Sequence, residues 1–303
     1  MKHRWVVVCL VAVALSSATA SAEPRSWTAV KAKLPAGSMA VFGVDVAAIR
    51  KLPSFPKFFD SLLAVDKDFP QLVGAVKSTC GIDPVAAIAD VTIVLDPKEK
   101  VLAAIAFDGL TEAKLLACAN KLLVQTDPKR QITKQTAGNV TEYGMPNEPD
   151  KVYATWLASD IVVVGAKPGD RTQLDGMLAG KPATGELATQ LGKVDVNALA
   201  WTAFAPDKDL IKSGYGAISF AKTKATLAVR MTAVTPKDGA AMVKDGRHDI
   251  VEATKRANQQ KLPQLAKILK LVKIGGKGAD VTVDATIAES DLPLLLPALD
   301  KAF

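Results

Sequence analysis

The chain has 303 residues, of which 49% are hydrophobic and 23% charged, and its formal net charge is +7. This is ordinary globular composition, and it excludes a largely disordered chain. The Lys and Arg residues are scattered and only 5% of the residues are aromatic, so the chain lacks the concentrated charge and stacking groups of a nucleic-acid-binding surface.

The N-terminus has the three parts of a secretory signal peptide. Lys2 and Arg4 form the positive end, residues 5–15 are apolar, and an A-x-A sequence ends at Ala22. The apolar segment is shorter than the roughly 20 residues that span a bilayer, and no later segment is apolar enough to do so. We therefore expect cleavage between Ala22 and Glu23, residues 1–22 being a signal peptide, and export to the periplasm or the extracellular space. The alternative is an uncleaved N-terminal anchor.

The first half of the chain after the signal alternates short strands with amphipathic helices. Helices are predicted at 55–66, 70–80, 111–123 and 168–180, the third capped by Thr111. Strands are predicted at 38–46, 90–96, 101–108, 151–158 and 161–166. Short polar connections at 97–100 and at Ser159-Asp160 predict two hairpins.

The second half repeats this order. Strands are predicted at 197–205, 215–221, 225–233, 271–276 and 279–288, and helices at 206–212, 235–260 and 290–303. Each half then reads β-α-ββ-α-ββ-α, and strands joined by short loops pair antiparallel. We predict an α+β fold of two related halves, 23–190 and 191–303, each a mainly antiparallel sheet with helices on one face. Whether the halves form one sheet or two stays open.

Three stretches of the first half carry a resemblance to known families. They are "LPAGSMAVFGVDVAAI" (34–49), "CGIDPVAAIADVTIVL" followed by "LTEAKLLACANKL" (80–95 and 110–122), and "VYATWLASDIVVVGAK" (152–167). With them the chain resembles uncharacterised secreted or periplasmic families of Gram-negative bacteria, of the myxobacterial kind, built from duplicated ferredoxin-like units. Those families have no established activity, so the resemblance implies the fold and the compartment but no functional residues.

No catalytic, cofactor or metal site is predicted. The one histidine after the signal, His248, lies in the charged stretch "KDGRHDI", where a solvated side chain is expected, and no G-x-S-x-G sequence supplies a nucleophile. The glycine-rich "KIGGKGAD" (273–280) lacks the spacing of a phosphate-binding loop and is interpreted as a hairpin turn. Asp45, Asp96 and Asp108 lie at strand ends, where turns and caps favour Asp.

Cys80 and Cys118 are the two cysteines that remain after the signal is removed. An even count in an oxidising compartment favours a disulfide between them. Cys80 ends one predicted helix, and Cys118 lies on the apolar face of the helix that follows the next hairpin. Two free thiols and a redox-active pair are the alternatives, although nothing in the spacing indicates a lowered thiolate pKa.

These observations favour a non-enzymatic exported protein that binds an apolar small ligand or an envelope component. The alternative is a hydrolase-type enzyme whose dispersed carboxylates and lysines meet between the halves. A third possibility is an interaction module without a pocket. A pocket lined by apolar side chains would favour the binder, whereas two converging carboxylates of shifted pKa would favour the enzyme.

Overall fold

The structure is a computed structural model that describes residues 23–57, 59–60, 68–96, 101–146, 148, 151–165, 171–206 and 210–294. The predicted signal peptide, with Ala22, and most of the predicted closing helix lie outside these residues. The described chain combines helices with antiparallel strands, which confirms the predicted α+β class.

The elements follow one another in short segments. The helices are α1 (Arg25–Val30), α2 (Val46–Arg50), α3 (Asp68–Cys80), α4 (Pro84–Ala87), α5 (Glu112–Thr126), α6 (Thr172–Leu178), α7 (Gly185–Leu191), α8 (Pro236–Gln259) and α9 (Pro263–Leu269), with a 3₁₀ helix at Glu289–Leu294. The strands are β1 (Ala40–Asp45), β2 (Ile88–Leu95), β3 (Val101–Phe107), β4 (Thr133–Ala137), β5 (Val140–Gly144), β6 (Lys151–Ala158), β7 (Ile161–Gly165), β8 (Ala200–Phe204), β9 (Ile211–Ala221), β10 (Lys224–Ala233), β11 (Lys273–Lys277) and β12 (Asp280–Ala288).

The chain forms two compact units. The first unit contains Glu23–Ala47 and Lys67–Ala188, and the second contains the described residues of Ala48–Asp66 and Thr189–Phe303. The sheet of the first unit has the strand order β1-β2-β3-β7-β6-β5-β4 with antiparallel neighbours throughout. The predicted β2–β3 and β6–β7 hairpins are both present.

Helices cover both faces of the first unit's sheet, so the prediction of helices on one face is wrong there. Successive residues of a strand point to opposite faces. Ala106 of β3 packs in a cluster that includes Ala29 of α1, while the next residue, Phe107, packs in a cluster that includes Leu115 of α5. The physical reason is that β3, "VLAAIAF", is apolar on both faces and needs cover on each.

The second unit packs α8 against one face of its sheet, where Gly276 of β11 faces Val243. Its strands run β11-β12-β10-β9-β8, each antiparallel to the next. Leu227 and Val229 of β10 are buried on the α8 face, and the opposite face carries Arg230, paired with Asp284 at 2.8 Å. The face opposite α8 is covered in part, because Gln190 of α7 donates to the buried Ser213 hydroxyl of β9 at 3.0 Å.

Several elements were not predicted from the sequence, and one predicted helix is wrong at its end. The unpredicted elements are α1, α2, α7, α9 and the β4–β5 hairpin. The helix predicted at 206–212 is wrong at its end, because Ile211 and Lys212 begin β9. Residues 207–209 lie outside the described chain. β9 has 11 residues and pairs along β10, so sheet pairing overrides the local helical pattern of this segment.

Candidate functional site

The predicted disulfide between Cys80 and Cys118 is present. It joins the last residue of α3 to the middle of α5, with the two Cα atoms 5.3 Å apart. Gly81 has φ +66°, the left-handed conformation that ends a helix. Asp83 then begins α4 by accepting hydrogen bonds of 3.1 Å from the N–H groups of Val85 and Ala86. The cysteine junction is therefore structural.

Three carboxylates of the first unit meet at the start of α1. The buried Asp90 carboxylate accepts from the Arg25 N–H at 3.2 Å and from the Ser26 N–H at 2.7 Å, which satisfies the free N–H groups of the helix start. The Arg25 guanidinium donates to Asp160 at 2.6 Å and to Asp108 at 2.9 Å. The three carboxylates are the capping and ion-pair partners of α1, so this cluster holds α1 against the sheet.

A second polar network lies where α5 begins. The Tyr143 hydroxyl donates to Glu112 and accepts from the Trp156 ring N–H at 2.9 Å. Lys134 Nζ lies 2.6 Å from the same Glu112 carboxylate. Burial and the adjacent Glu112 raise the pKa of Tyr143 to about 12. Burial acts to raise the pKa of Glu112, but hydrogen bonds from Lys134 and Tyr143 outweigh it and lower that pKa.

This network does not have the properties of an acid–base site. A general acid at neutral pH needs a carboxyl group with a raised pKa, and the pKa of Glu112 is lowered. The pKa of Glu142 is also lowered, chiefly by its hydrogen bond from Lys151. Among the described residues, no cluster of three or more His, Cys, Asp and Glu side chains is arranged to hold a metal ion.

A groove of about 520 Å³ opens in the second unit, between α8 and the β11–β12 hairpin. Its helix side is lined by Pro236, Gly239, Ala240, Val243, Lys244 and Arg247, and its hairpin side by Gly276 and Gly278. The volume falls in the range of small-molecule sites, about 300–1,000 Å³. Its lining combines small apolar groups with two cations, and it is therefore the candidate binding site.

Glycines bring the helix and the hairpin together at this groove. A Cβ at Gly239 would lie 2.4 Å from the Gly278 carbonyl oxygen, and a Cβ at Gly246 would lie 2.9 Å from Ile274 Cδ1. A Cβ at Gly276 would lie 3.0 Å from Val243 Cγ2. We call this line of contacts the glycine seam. It lets the backbones approach closely and leaves the neighbouring space without side chains to fill it.

The two cations of the groove lie one turn apart on α8. Lys244 and Arg247 are three residues apart, so they share a helix face. Both are exposed. The Arg247 Nε–H donates to the Ile274 carbonyl oxygen at 2.8 Å, which holds the guanidinium against β11, the last strand in the order of this unit. The groove therefore has a fixed positive charge beside an apolar lining.

The residues considered from the sequence lie mostly outside this groove. His248 is exposed on α8 and is not among the lining residues. "KIGGKGAD" forms β11 and the hairpin turn into β12, and the turn has Gly278 at φ +63°. Asp45, Asp96 and Asp108 follow or end strands, as predicted. The described helices include none with both the length and the apolar character to cross a bilayer.

Sequence reasoning missed the groove because its signal joins two distant segments. Within α8, Gly239, Val243 and Gly246 have the i, i+4, i+7 spacing of one helix face, which is a detectable pattern. Gly276 lies in β11, within the strand predicted at 271–276, but its contact with α8 has no local signal. The charged stretch that contains Lys244 and Arg247 is typical of a solvated helix face, and only the folded arrangement brings the two cations to the groove.

Comparison with known proteins gives no family. No protein-family model matches the chain, and no curated protein matches it. The solved structures to which it is similar include crystal form I of TP0453, with 10% identity, 94% of this chain and 99% of that chain covered, and a TM-score of 0.45. Crystal form III of TP0453 has 10% identity, coverage of 93% and 100%, and a TM-score of 0.48.

Proposed function

We propose that this protein is exported and non-enzymatic, and that it binds a small ligand in the groove between α8 and the β11–β12 hairpin. The observation that carries the proposal is the groove itself, about 520 Å³ with a lining of glycine, alanine, valine and proline beside two cations. Ligand sites of soluble proteins are concave and mostly apolar, with a few polar groups that orient the ligand.

Five carboxylates of the first unit, in its two polar networks and beside them, favour binding over hydrolysis. Asp90, Asp108 and Asp160 are engaged by the start of α1 and by Arg25. Glu112 and Glu142 have lowered pKa values and pair with lysines. A hydrolase of the dispersed-carboxylate type needs carboxyl groups that are free to exchange protons with a substrate.

Export is supported by the cysteine pair. A disulfide persists in oxidising compartments such as the periplasm or the extracellular space. We propose that residues 1–22 are the signal that directs the chain there and that cleavage leaves Glu23 as the first residue.

We also propose that the halves 23–190 and 191–303 are related by duplication, as in the secreted families that the sequence resembles. Support comes from the shared order of antiparallel hairpins followed by helices, as in β2, β3 and α5 of the first unit and β9, β10 and α8 of the second. The β4–β5 hairpin would then be an addition to the first half.

The test is mass spectrometry of small molecules that co-purify with the exported protein from its native envelope. Ala240→Trp fills the groove, and Ala241→Trp adds the same bulk at the next exposed position, which does not line it. We expect the co-purified ligand to be retained with Ala241→Trp and lost with Ala240→Trp. The proposal is contradicted if no ligand accompanies the wild-type protein, or if Ala240→Trp retains it equally.

A further inference from the structure

The groove differs in character along its length. Lys244 and Arg247 lie toward one end, and Pro236 and Ala240 lie toward the other. Resting on the proposed binding function, we propose that the ligand is a small amphiphilic carboxylate. Its anionic group lies between Lys244 and Arg247, and its apolar chain lies along α8 toward Pro236.

The cations are available to an anion. Neither Lys244 nor Arg247 forms an ion pair with any described residue. The Arg247 Nε–H is occupied by the Ile274 carbonyl oxygen at 2.8 Å, which leaves its two Nη groups for a ligand. Hydrogen bonds from an arginine or lysine to a carboxylate are charge-assisted and are about twice as strong as neutral ones.

The start of α8 does not compete for the anion. Thr235 and Asp238 form a capping box, in which the Thr235 hydroxyl accepts from the Asp238 N–H at 3.1 Å and the Asp238 carboxylate accepts from the Thr235 N–H at 3.1 Å. The helix start is therefore satisfied by its own residues. The positive end of the groove is made by Lys244 and Arg247, about two and three turns after Pro236.

The apolar end of the groove continues onto exposed apolar surface. Val234 is 56% exposed and Leu210 is 59% exposed, and the Val234 N–H donates to the Leu210 carbonyl oxygen at 2.9 Å, so the two are neighbours beside Pro236. From Pro236 to Lys244 the helix rises about 12 Å at 1.5 Å per residue. This is roughly the length of an extended ten-carbon chain with ordinary C–C bonds.

The experiment compares decanoate with decan-1-ol, which has the same chain length and no charge, by isothermal titration calorimetry on the full mature protein. We expect decanoate to bind at least about tenfold more tightly than the alcohol, because only the carboxylate gains the two charged partners. The double variant Lys244→Gln with Arg247→Gln is expected to lose that preference. Lys255→Gln, exposed on the same helix but outside the groove, is the matched control and keeps it.

Lys244→Gln alone removes one charge and retains the hydrogen bond from Arg247 to Ile274, so its effect reports charge and not the packing of α8 on β11. We expect it to weaken decanoate binding several-fold. Equal binding of decanoate and the alcohol, absence of decanoate binding, or unchanged decanoate binding in the double variant would overturn the anion assignment. The binding function itself is tested separately. If a native ligand co-purifies with the wild type and is lost with Ala240→Trp, the binding function stands even where decanoate does not bind.

Discussion

Tyr143 shows how one hydroxyl joins three elements of the first unit. It donates to Glu112 at the start of α5 and accepts from Trp156 of β6, while its own residue belongs to β5. Removing the hydroxyl takes the hydrogen-bond acceptor from the half-buried Trp156 ring N–H, while Glu112 keeps its pairing with Lys134. This side chain stabilises the junction between the helix and the outer hairpin.

The first prediction is that Tyr143→Phe lowers the free energy of unfolding by about 1–2 kcal/mol, the usual cost of leaving a hydrogen-bonded pair without its partner. Urea denaturation followed by circular dichroism measures this change. Tyr215→Phe is the matched control, because no hydrogen bond of the Tyr215 hydroxyl is found within the described chain, and it should change stability little. Equal effects of the two substitutions would refute the role of the network.

The second prediction concerns alkaline pH. The pKa of Tyr143 is raised to about 12 in the folded protein by burial and by Glu112, above its ordinary value of 10.0. The folded state therefore retains a proton that the unfolded state releases, and the stability from this group is present below pH 10 and lost as pH rises toward 12. The unfolding free energy of the wild type should fall more steeply in that window than that of Tyr143→Phe. Parallel pH profiles would contradict this linkage.

At the scale of elements, the glycine seam fixes how closely α8 lies on the β11–β12 hairpin. The third prediction is that Gly239→Ala destabilises the protein by about 1–3 kcal/mol, because its Cβ would lie 2.4 Å from the Gly278 carbonyl oxygen and would push the backbones apart. Thermal and urea unfolding measure the effect.

Gly176→Ala on α6 is the control, and it is expected to change the unfolding free energy in the opposite direction. A Cβ at Gly176 meets nothing within 4 Å, so the substitution should stabilise the helix by about 0.5–1 kcal/mol through the lost backbone freedom of glycine. If Gly239→Ala were equally stabilising, the close approach at the seam would have no energetic role.

The fourth prediction concerns the link between α3 and α5. The disulfide spans a sequence separation of 38 residues, and the chain-entropy relation gives about 4 kcal/mol of stabilisation for a loop of this length. Replacing both Cys80 and Cys118 by alanine should lower the unfolding free energy by this order. Reductant should destabilise the wild type and leave the double variant unchanged, and a wild type indifferent to reductant would contradict the prediction.

The elements that the sequence predicted well carry their signals locally. Thr111 begins α5 as an N-cap, and Gly81 with Asp83 ends one helix and starts the next within three residues. The start of β9 and the helix α1 were missed because partners far along the chain decide them. The N–H groups that begin α1 are satisfied by Asp90, which is 65 and 64 residues away.

The difference between local and long-range signals also separates the disulfide from the groove. The cysteine pair was predictable from count, compartment and helix position. The groove was not, because Lys244 lies in α8 and Gly276 in β11, and each is unremarkable within its own segment. Two-sided cover of the first sheet also escaped prediction, although the unbroken apolar run of β3 is the local pattern that indicates it.

For the whole molecule, the fifth prediction is the start of the mature chain. Intact-mass spectrometry of the exported protein should give the mass of a chain that begins at Glu23, because the A-x-A sequence that ends at Ala22 matches the small-residue preference of the signal-cleaving enzyme. Cleavage at any other bond, or retention of the first 22 residues, would contradict it.

The contacts that hold α1 against the sheet have a consequence for the order in which the protein folds. Synthesis proceeds from the N-terminus, so Arg25 is made early, yet its partner Asp160 comes 135 residues later. Contacts of such long sequence separation form late, after the intervening chain has been ordered. Until then Trp27 and Val30, both buried in the finished protein, have only the strands β1 to β3 to cover them, because β7 is not yet made. Nascent chains that stop short of residue 160 should therefore be the ones that chaperones hold and proteases remove.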